Sequence, residues 1–204
     1  MSRLGVALLA AGQSRRFGPA DKLLADFRGR PLCLWAAHAA RAVPAEAFWA
    51  ITPTGTSALS ACLEGAGFDS VENRDAASGQ STSIRRAAER AERAGLDRLL
   101  IILADMPFVS TRQMVAVADA AAHPASRPAQ AVMSRAGATL LPPACFGSAA
   151  FPTLKSLTGD SGARAVFSAL TPRAERPMPA HMATDLDTHA DWKAVATAKV
   201  LAHG

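Results

Sequence analysis

Apolar and polar positions along this chain follow two rhythms that take turns. Residues 4–10, LGVALLA, are a short, nearly unbroken apolar run, the mark of a strand covered on both faces. Residues 31–42 then place apolar side chains at helical spacing, with proline at the start. The pattern repeats as a strand over 47–52, a helix over 57–66 ended by Gly67, and a short strand over 68–72. A long helix over 81–94 stopped by Gly95 comes next, followed by RLLIIL at 98–103, uniformly apolar as a central parallel strand should be. A helix over 111–122 completes the regular part. The order β-α-β-α-β-α-β-α predicts an α/β fold, a doubly wound and mostly parallel sheet with helices on both faces.

Beyond His123 the rhythm loosens. Short strands are expected near 129–134 and 138–141, and helical pieces at 152–157, 163–170 and 190–201. No linker cuts the chain, so the expectation is a single domain over 1–204, built from a first half at 1–122 and a second at 123–204.

Composition narrows the choice of function. Half of the 204 residues are hydrophobic and 19% are charged, which suits one well-packed globular unit. The N-terminal apolar run is too short to span a bilayer and lacks the features of a secretory signal, so no membrane partner and a cytoplasmic location are expected. The three cysteines form no CxxC and the five histidines have no ligand spacing, which argues against disulfides and zinc. A net charge of +5 suits either nucleic acid or a substrate with several phosphates. Aromatics are only 5%, tyrosine is absent and the arginines are dispersed, so nucleic acid is the poorer match.

In open α/β sheets ligands bind beyond the carboxyl ends of the strands. There the first strand delivers AGQSRRFGPADK, the third NRDAASGQSTSIRR and the fourth ADMP. Gly12 and Gly18 let a loop wrap an anion with its backbone N–H groups, Ser14 adds a hydroxyl, and Arg16 and Lys22 add charge. The loop is neither a Walker A motif nor a GxGxxG fingerprint, and ordinary surface arginines are the plain alternative. Asp105, directly after the strongest strand, is well placed to hold Mg²⁺ against phosphate oxygens; the alternative is a turn or helix-cap aspartate. Asp185 or Asp187 supplies a second carboxylate, unless Asp187 or Thr188 simply caps the last helix. Gly79, Ser81 and Arg85 stand ready to line a nucleotide, or to start a helix. Neither GQS has the GxSxG arrangement of a hydrolase nucleophile.

LAAGQSRRFG followed by DK resembles the signature of nucleotidyltransferases that activate small phosphorylated molecules with an NTP. Within them the chain is similar to the molybdenum cofactor cytidylyltransferases. Asn73, Gly79, Thr82, Ser83, Ile84 and Arg85 approximate their N-x5-G-x-x-S-S-L-R, and Ala104-Asp105-Met106-Pro107 their G-D-Q/M-P. GDSGAR at 159–164 is intact, and DLDTHAD at 185–191 matches their close except at His189-Ala190. Gly137-Ala138-Thr139 departs from their G-[HNR]-P. Ala11 stands where guanylyl relatives usually have glycine, which favours CTP.

The resemblance implies a Rossmann-like nucleotidyltransferase fold and CMP transfer from CTP to the terminal phosphate of a phosphorylated pterin, with release of pyrophosphate. It makes residues 1–122 the nucleotide-binding half and 123–204 the acceptor-binding half. Leu9, Ala10, Ala11, Gly12, Ser14, Arg16, Gly18, Lys22, Asn73, Gly79 and Ser83 would bind the nucleotide. Arg16, Lys22 and Asp105 would be catalytic, Asp105 and Asp187 would hold Mg²⁺, and Asp160 and Arg164 would seat the acceptor. A recipient molybdoenzyme is a further implied partner. Guanylyl transfer to the same cofactor, a sugar- or polyol-phosphate nucleotidyltransferase, and a non-catalytic cofactor-delivery protein remain as alternatives.

Overall fold

The computed structural model describes residues 2–12, 21–122, 130–159, 161–184, 186 and 192. The first half contains β1 (Leu4–Leu9), β2 (Asp26–Phe27), β3 (Arg30–Pro31), α1 (Cys33–Arg41), β4 (Ala47–Pro53) and α2 (Ser57–Gly65). It continues through β5 (Asp69–Asn73), α3 (Gln80–Arg93), β6 (Arg98–Leu103) and α4 (Thr111–Ala122). The second half contains β7 (Ala131–Ala136), β8 (Thr139–Gly147), α5 (Phe151–Lys155), α6 (Ala163–Ala169) and β9 (Arg173–Pro177).

Seven strands form one sheet in the order β5-β4-β1-β6-β8-β7-β9, and β2 pairs with β3 in a small hairpin. β5, β4, β1 and β6 run parallel, β8 is antiparallel to β6 and β7, and β9 is parallel to β7. Only β8 in this sheet therefore runs against the others, as the mostly parallel expectation requires. Every residue of β1 is buried because both faces of the sheet are covered. Strand alternation sends Val6 and Leu8 into a core shared with α1, α2 and α4, and Ala7 and Leu9 into a second core shared with α3, α5 and α6. Among the described residues no helix is long and apolar enough to cross a membrane.

Several expectations change in detail. Pro31 does not open α1; it pairs with Asp26 in the β2–β3 hairpin, and the helix begins at Cys33. The short strand expected at 138–141 is a nine-residue strand, Thr139–Gly147, joined to β7 by a tight turn at Gly137 and Ala138. Gly137 takes φ 57°, a left-handed value that suits such a turn. Pro142 and Pro143 cannot donate to the ladder, and the register shifts between Met133 and Ser134 opposite them. Ser134 Oγ donates to the Pro143 carbonyl at 3.0 Å and accepts from Gln113 Nε2 at 3.1 Å, so the bulge is satisfied from α4. β9 was not expected, and most of the helix anticipated at 190–201 lies outside the described residues.

Candidate active site

The carboxyl ends of β1 and β6 are tied side by side. Ala104 N–H donates to the Leu9 carbonyl at 3.0 Å, and Ala10 N–H to the Ile51 carbonyl at the end of β4 at 2.9 Å. The parallel pairing thus runs past the strands and delivers Gly12 and Asp105 to the same edge. Leu9, Ala10 and Ala11 are buried, whereas Gly12 is exposed. A Cβ at Gly12 meets no described atom within 4 Å, and its φ lies outside the left-handed region. Among the described residues, then, the fold itself makes no demand for glycine there, and a side-chain-free backbone is what a close ligand needs.

Lys22 returns to this edge from below. The turn at 21–25 is closed by Leu24 N–H to the Asp21 carbonyl at 3.1 Å and Leu23 N–H to Asp21 Oδ1 at 2.9 Å. Lys22 Nζ donates to Asp105 Oδ2 at 3.1 Å, with the lysine side chain only 3% exposed and the aspartate 27%. An ammonium buried against a carboxylate is a compact dipole at the mouth of the crevice. Phe27, on the hairpin after Lys22, packs edge-on against Phe108, just after Asp105, with centroids 6.0 Å apart. Trp192 adds a third ring at 5.3 Å from Phe27 and donates Nε1–H to the Leu186 carbonyl at 3.3 Å. Leu186 is fully buried in the first core and so sits at this hub. Asp185 and Asp187, on either side of it, lie outside the described residues, as do Ser14, Arg16, Gly18 and Asp160.

The loop between β5 and α3 supports the site from a third side. Asn73 is fully buried, and its carboxamide is used internally. Nδ2 donates to Thr82 Oγ1 at 2.8 Å and to Ser83 Oγ at 3.0 Å, and Oδ1 accepts from Asp75 N–H at 3.1 Å. Thr82 Oγ1 in turn donates a hydrogen bond to the Gly79 carbonyl at 2.8 Å. Asn73 and Ser83 therefore shape the loop from inside, a role the linear motif does not reveal. Gly79, with φ 107° and ψ 170°, makes a turn closed to side chains before α3 begins. Ser81 Oγ is buried in the first turn of α3 with no hydrogen-bond partner among the described residues. Ser81 N–H reaches the Gly159 carbonyl at 3.4 Å, which joins this loop to the GDSGAR segment.

GDSGAR leads into α6, where Arg164 is exposed in the first turn. Arg164 and Gln80, the first residue of α3, line one cavity of about 410 Å³. In the sequence Gln80 stands only as the middle of the second GQS, with no role of its own. Among the described residues no three His, Cys, Asp or Glu side chains gather into a metal cage. Asp105 offers a hard oxygen donor of the kind that divalent cations take at this edge.

An open α/β sheet with a lysine–aspartate pair at its strand ends offers a ligand crevice of the kind that binds phosphorylated molecules. The model of the MobA-like NTP transferase domain matches residues 6–176, and the chain belongs to that family. Purine catabolism protein PucB of Bacillus subtilis (strain 168) is 38% identical over 91 residues, which are 45% of this chain and 42% of that protein. The match therefore spans less than half the length of that relative. Rv0371c of Mycobacterium tuberculosis H37Rv has the same fold, with a TM-score of 0.76 at 22% identity over 98% of this chain and all of that one. That mycobacterial protein has also been solved in complex with manganese. Molybdopterin-guanine dinucleotide biosynthesis protein A of Archaeoglobus fulgidus matches with a TM-score of 0.67 at 15% identity, covering 93% of this chain and 95% of its own. The sheet is thus the Rossmann-like nucleotidyltransferase fold.

Proposed function

We propose that this protein transfers CMP from CTP to the terminal phosphate of a phosphorylated pterin, the precursor of a dinucleotide form of the molybdenum cofactor, and releases pyrophosphate. The observation that carries the reading is the Lys22–Asp105 contact of 3.1 Å at the strand edge that bears Gly12. The family membership and the intact GDSGAR segment support it.

Residues 9–12 and the loop through Ser14, Arg16 and Gly18 would hold the triphosphate, with the exposed Gly12 backbone admitting its oxygens. Gly79 lets the nucleotide approach the start of α3, and Asn73 keeps Thr82 and Ser83 in the arrangement that the approach needs. Asp105 and Asp187 would hold Mg²⁺, which when bound would supply Lewis acidity and charge neutralisation to the phosphates. Lys22 presents its charge to the triphosphate and to the departing pyrophosphate, where negative charge develops. Arg164, with Asp160, seats the acceptor, and the guanidinium fork suits its phosphate. No side chain forms a covalent intermediate; the protein positions the two reactants and neutralises charge. In this reading residues 1–122 bind the nucleotide, 123–204 bind the acceptor, and a molybdoenzyme receives the product. A cytoplasmic setting suits that traffic.

The test is a thermal-shift panel of CTP, GTP, ATP and UTP, each with Mg²⁺, followed by transfer assays with the responding nucleotide. At about a hundred times its dissociation constant a ligand adds about 2.7 kcal/mol, which raises the melting point of a chain this long by ~5 °C or more. A response to CTP with CMP transfer to molybdopterin is expected. A response to GTP alone refutes the cytidylyl reading based on Ala11, and no response to any nucleotide points to a delivery protein.

A further inference from the structure

The cavity of about 410 Å³ has walls and a rim of different character. Leu103, Leu140, Leu141 and Pro142 give it apolar walls beside the second core, and Ser161 and Ser168 stand at its polar side. Leu9 and Leu103 bring it to the strand ends that carry Gly12 and Asp105. Its volume is that of a small-molecule site. On the rim stand Gln80 and Arg164, and neither side chain makes a hydrogen bond or ion pair with a described residue.

Gly162 connects the two. Its φ of −91° and ψ of −177° are open to any residue, so its conformation does not call for glycine. A Cβ there would stand 2.6 Å from Gln80 Oε1 and would push that carboxamide aside. The glycine of GDSGAR leaves room for a carboxamide from another segment, and Ser81 N–H to the Gly159 carbonyl holds the two segments together.

We propose that this cavity seats the body of the acceptor, a flat ring system with apolar faces and an uncharged hydrogen-bonding edge, and that Gln80, given room by Gly162, reads that edge. The inference rests on the pterin-acceptor reading above and extends it to specificity. A polyol or sugar body would turn several hydroxyls onto Leu103, Leu140, Leu141 and Pro142, whose side chains offer them no partners. A ring with a donor–acceptor edge instead lays its faces on those side chains and meets both the C=O and the NH₂ of one carboxamide. Arg164, on the same rim, remains available to the acceptor's phosphate.

The experiment titrates unsubstituted pterin against the full chain by the quenching of pterin's own fluorescence, so no turnover is needed. Gln80→Ala weakens pterin binding by roughly tenfold, the effect of about one uncharged hydrogen bond. Gly162→Ala, whose Cβ displaces the carboxamide, weakens it similarly. The double variant is no weaker than either single one, because the methyl then displaces nothing. CTP affinity, read by thermal shift, stays the same in all three, and glycerol 3-phosphate does not displace pterin. Absence of pterin binding to the unmodified protein, unchanged binding in both single variants, additive losses, or displacement of pterin by CTP would each overturn the proposal. Pterin binding with the expected variant pattern but without CMP transfer would instead refute the reaction, so the two failures are distinguishable.

Discussion

Replacing Lys22 by methionine separates function from stability at this site. The lysine side chain is 3% exposed and its ammonium lies 3.1 Å from Asp105 Oδ2. A charge-assisted hydrogen bond contributes about 1.5–3 kcal/mol net, but desolvating the ammonium offsets much of that. Methionine has similar length and volume and suits a buried position. Asp105, at 27% exposure, is left in contact with water and not sealed in as a lone buried charge. The expected change in stability is therefore small, within about 2 kcal/mol, which shifts the melting point by less than ~8 °C. Turnover should behave differently. Removing one preorganised donor from a site of developing negative charge costs about 10²–10³ in rate. Pyrophosphate release under saturating CTP and acceptor, paired with urea unfolding, reads both quantities on one preparation. Turnover within tenfold of the unmodified enzyme would refute the role given to Lys22. A collapse of stability in step with activity would show that the pair is structural.

Other perturbations test neighbouring claims. Gly12→Ala should leave the urea midpoint unchanged, since no described atom opposes its Cβ, yet weaken CTP binding measurably by calorimetry; equal affinity would remove Gly12 from the phosphate loop. Asn73→Ala loses three hydrogen bonds of 2.8, 3.0 and 3.1 Å, about 3 kcal/mol in all, and a melting point lowered by less than ~3 °C would contradict its role as the loop's internal clamp. Asp105→Asn should abolish metal-dependent turnover, and retained activity would place the cation elsewhere. Burial pushes the Cys145 thiol up to about 12, and burial together with neighbouring Cys62 does the same for Cys33. The unfolded chain releases those protons from its usual value of 9.0 while the folded chain keeps them, so unfolding becomes easier as pH rises from about 9 towards 12. Cys145→Ala should flatten that alkaline decline in urea titrations, and an unchanged slope would refute the assignment.

Local periodicity was enough for the parallel half of the fold. β1, β4, β5 and β6 and the helices between them are legible because a strand buried on both faces and a helix buried on one leave different apolar rhythms. Asp105 stands out in the sequence because it follows an apolar run, and Lys22 because it closes a glycine-punctuated loop; that the two meet was decided by the fold. Tertiary structure decided what local pattern cannot encode. That β8 runs against its neighbours depends on a turn at Gly137 and on pairing with β6, some forty residues earlier in the chain. β9, mostly exposed at the edge of the sheet, carries no apolar signature at all. The motif identified Asn73 but not its direction, and only packing turns its carboxamide inward to Thr82 and Ser83. Gly162 reads as a motif glycine until Gln80, from the start of α3, occupies the space a side chain would need. Hydrophobic rhythm is a property of neighbours along the chain, whereas the ion pair, the clamp and the cavity rim are properties of residues that meet only once the sheet has formed.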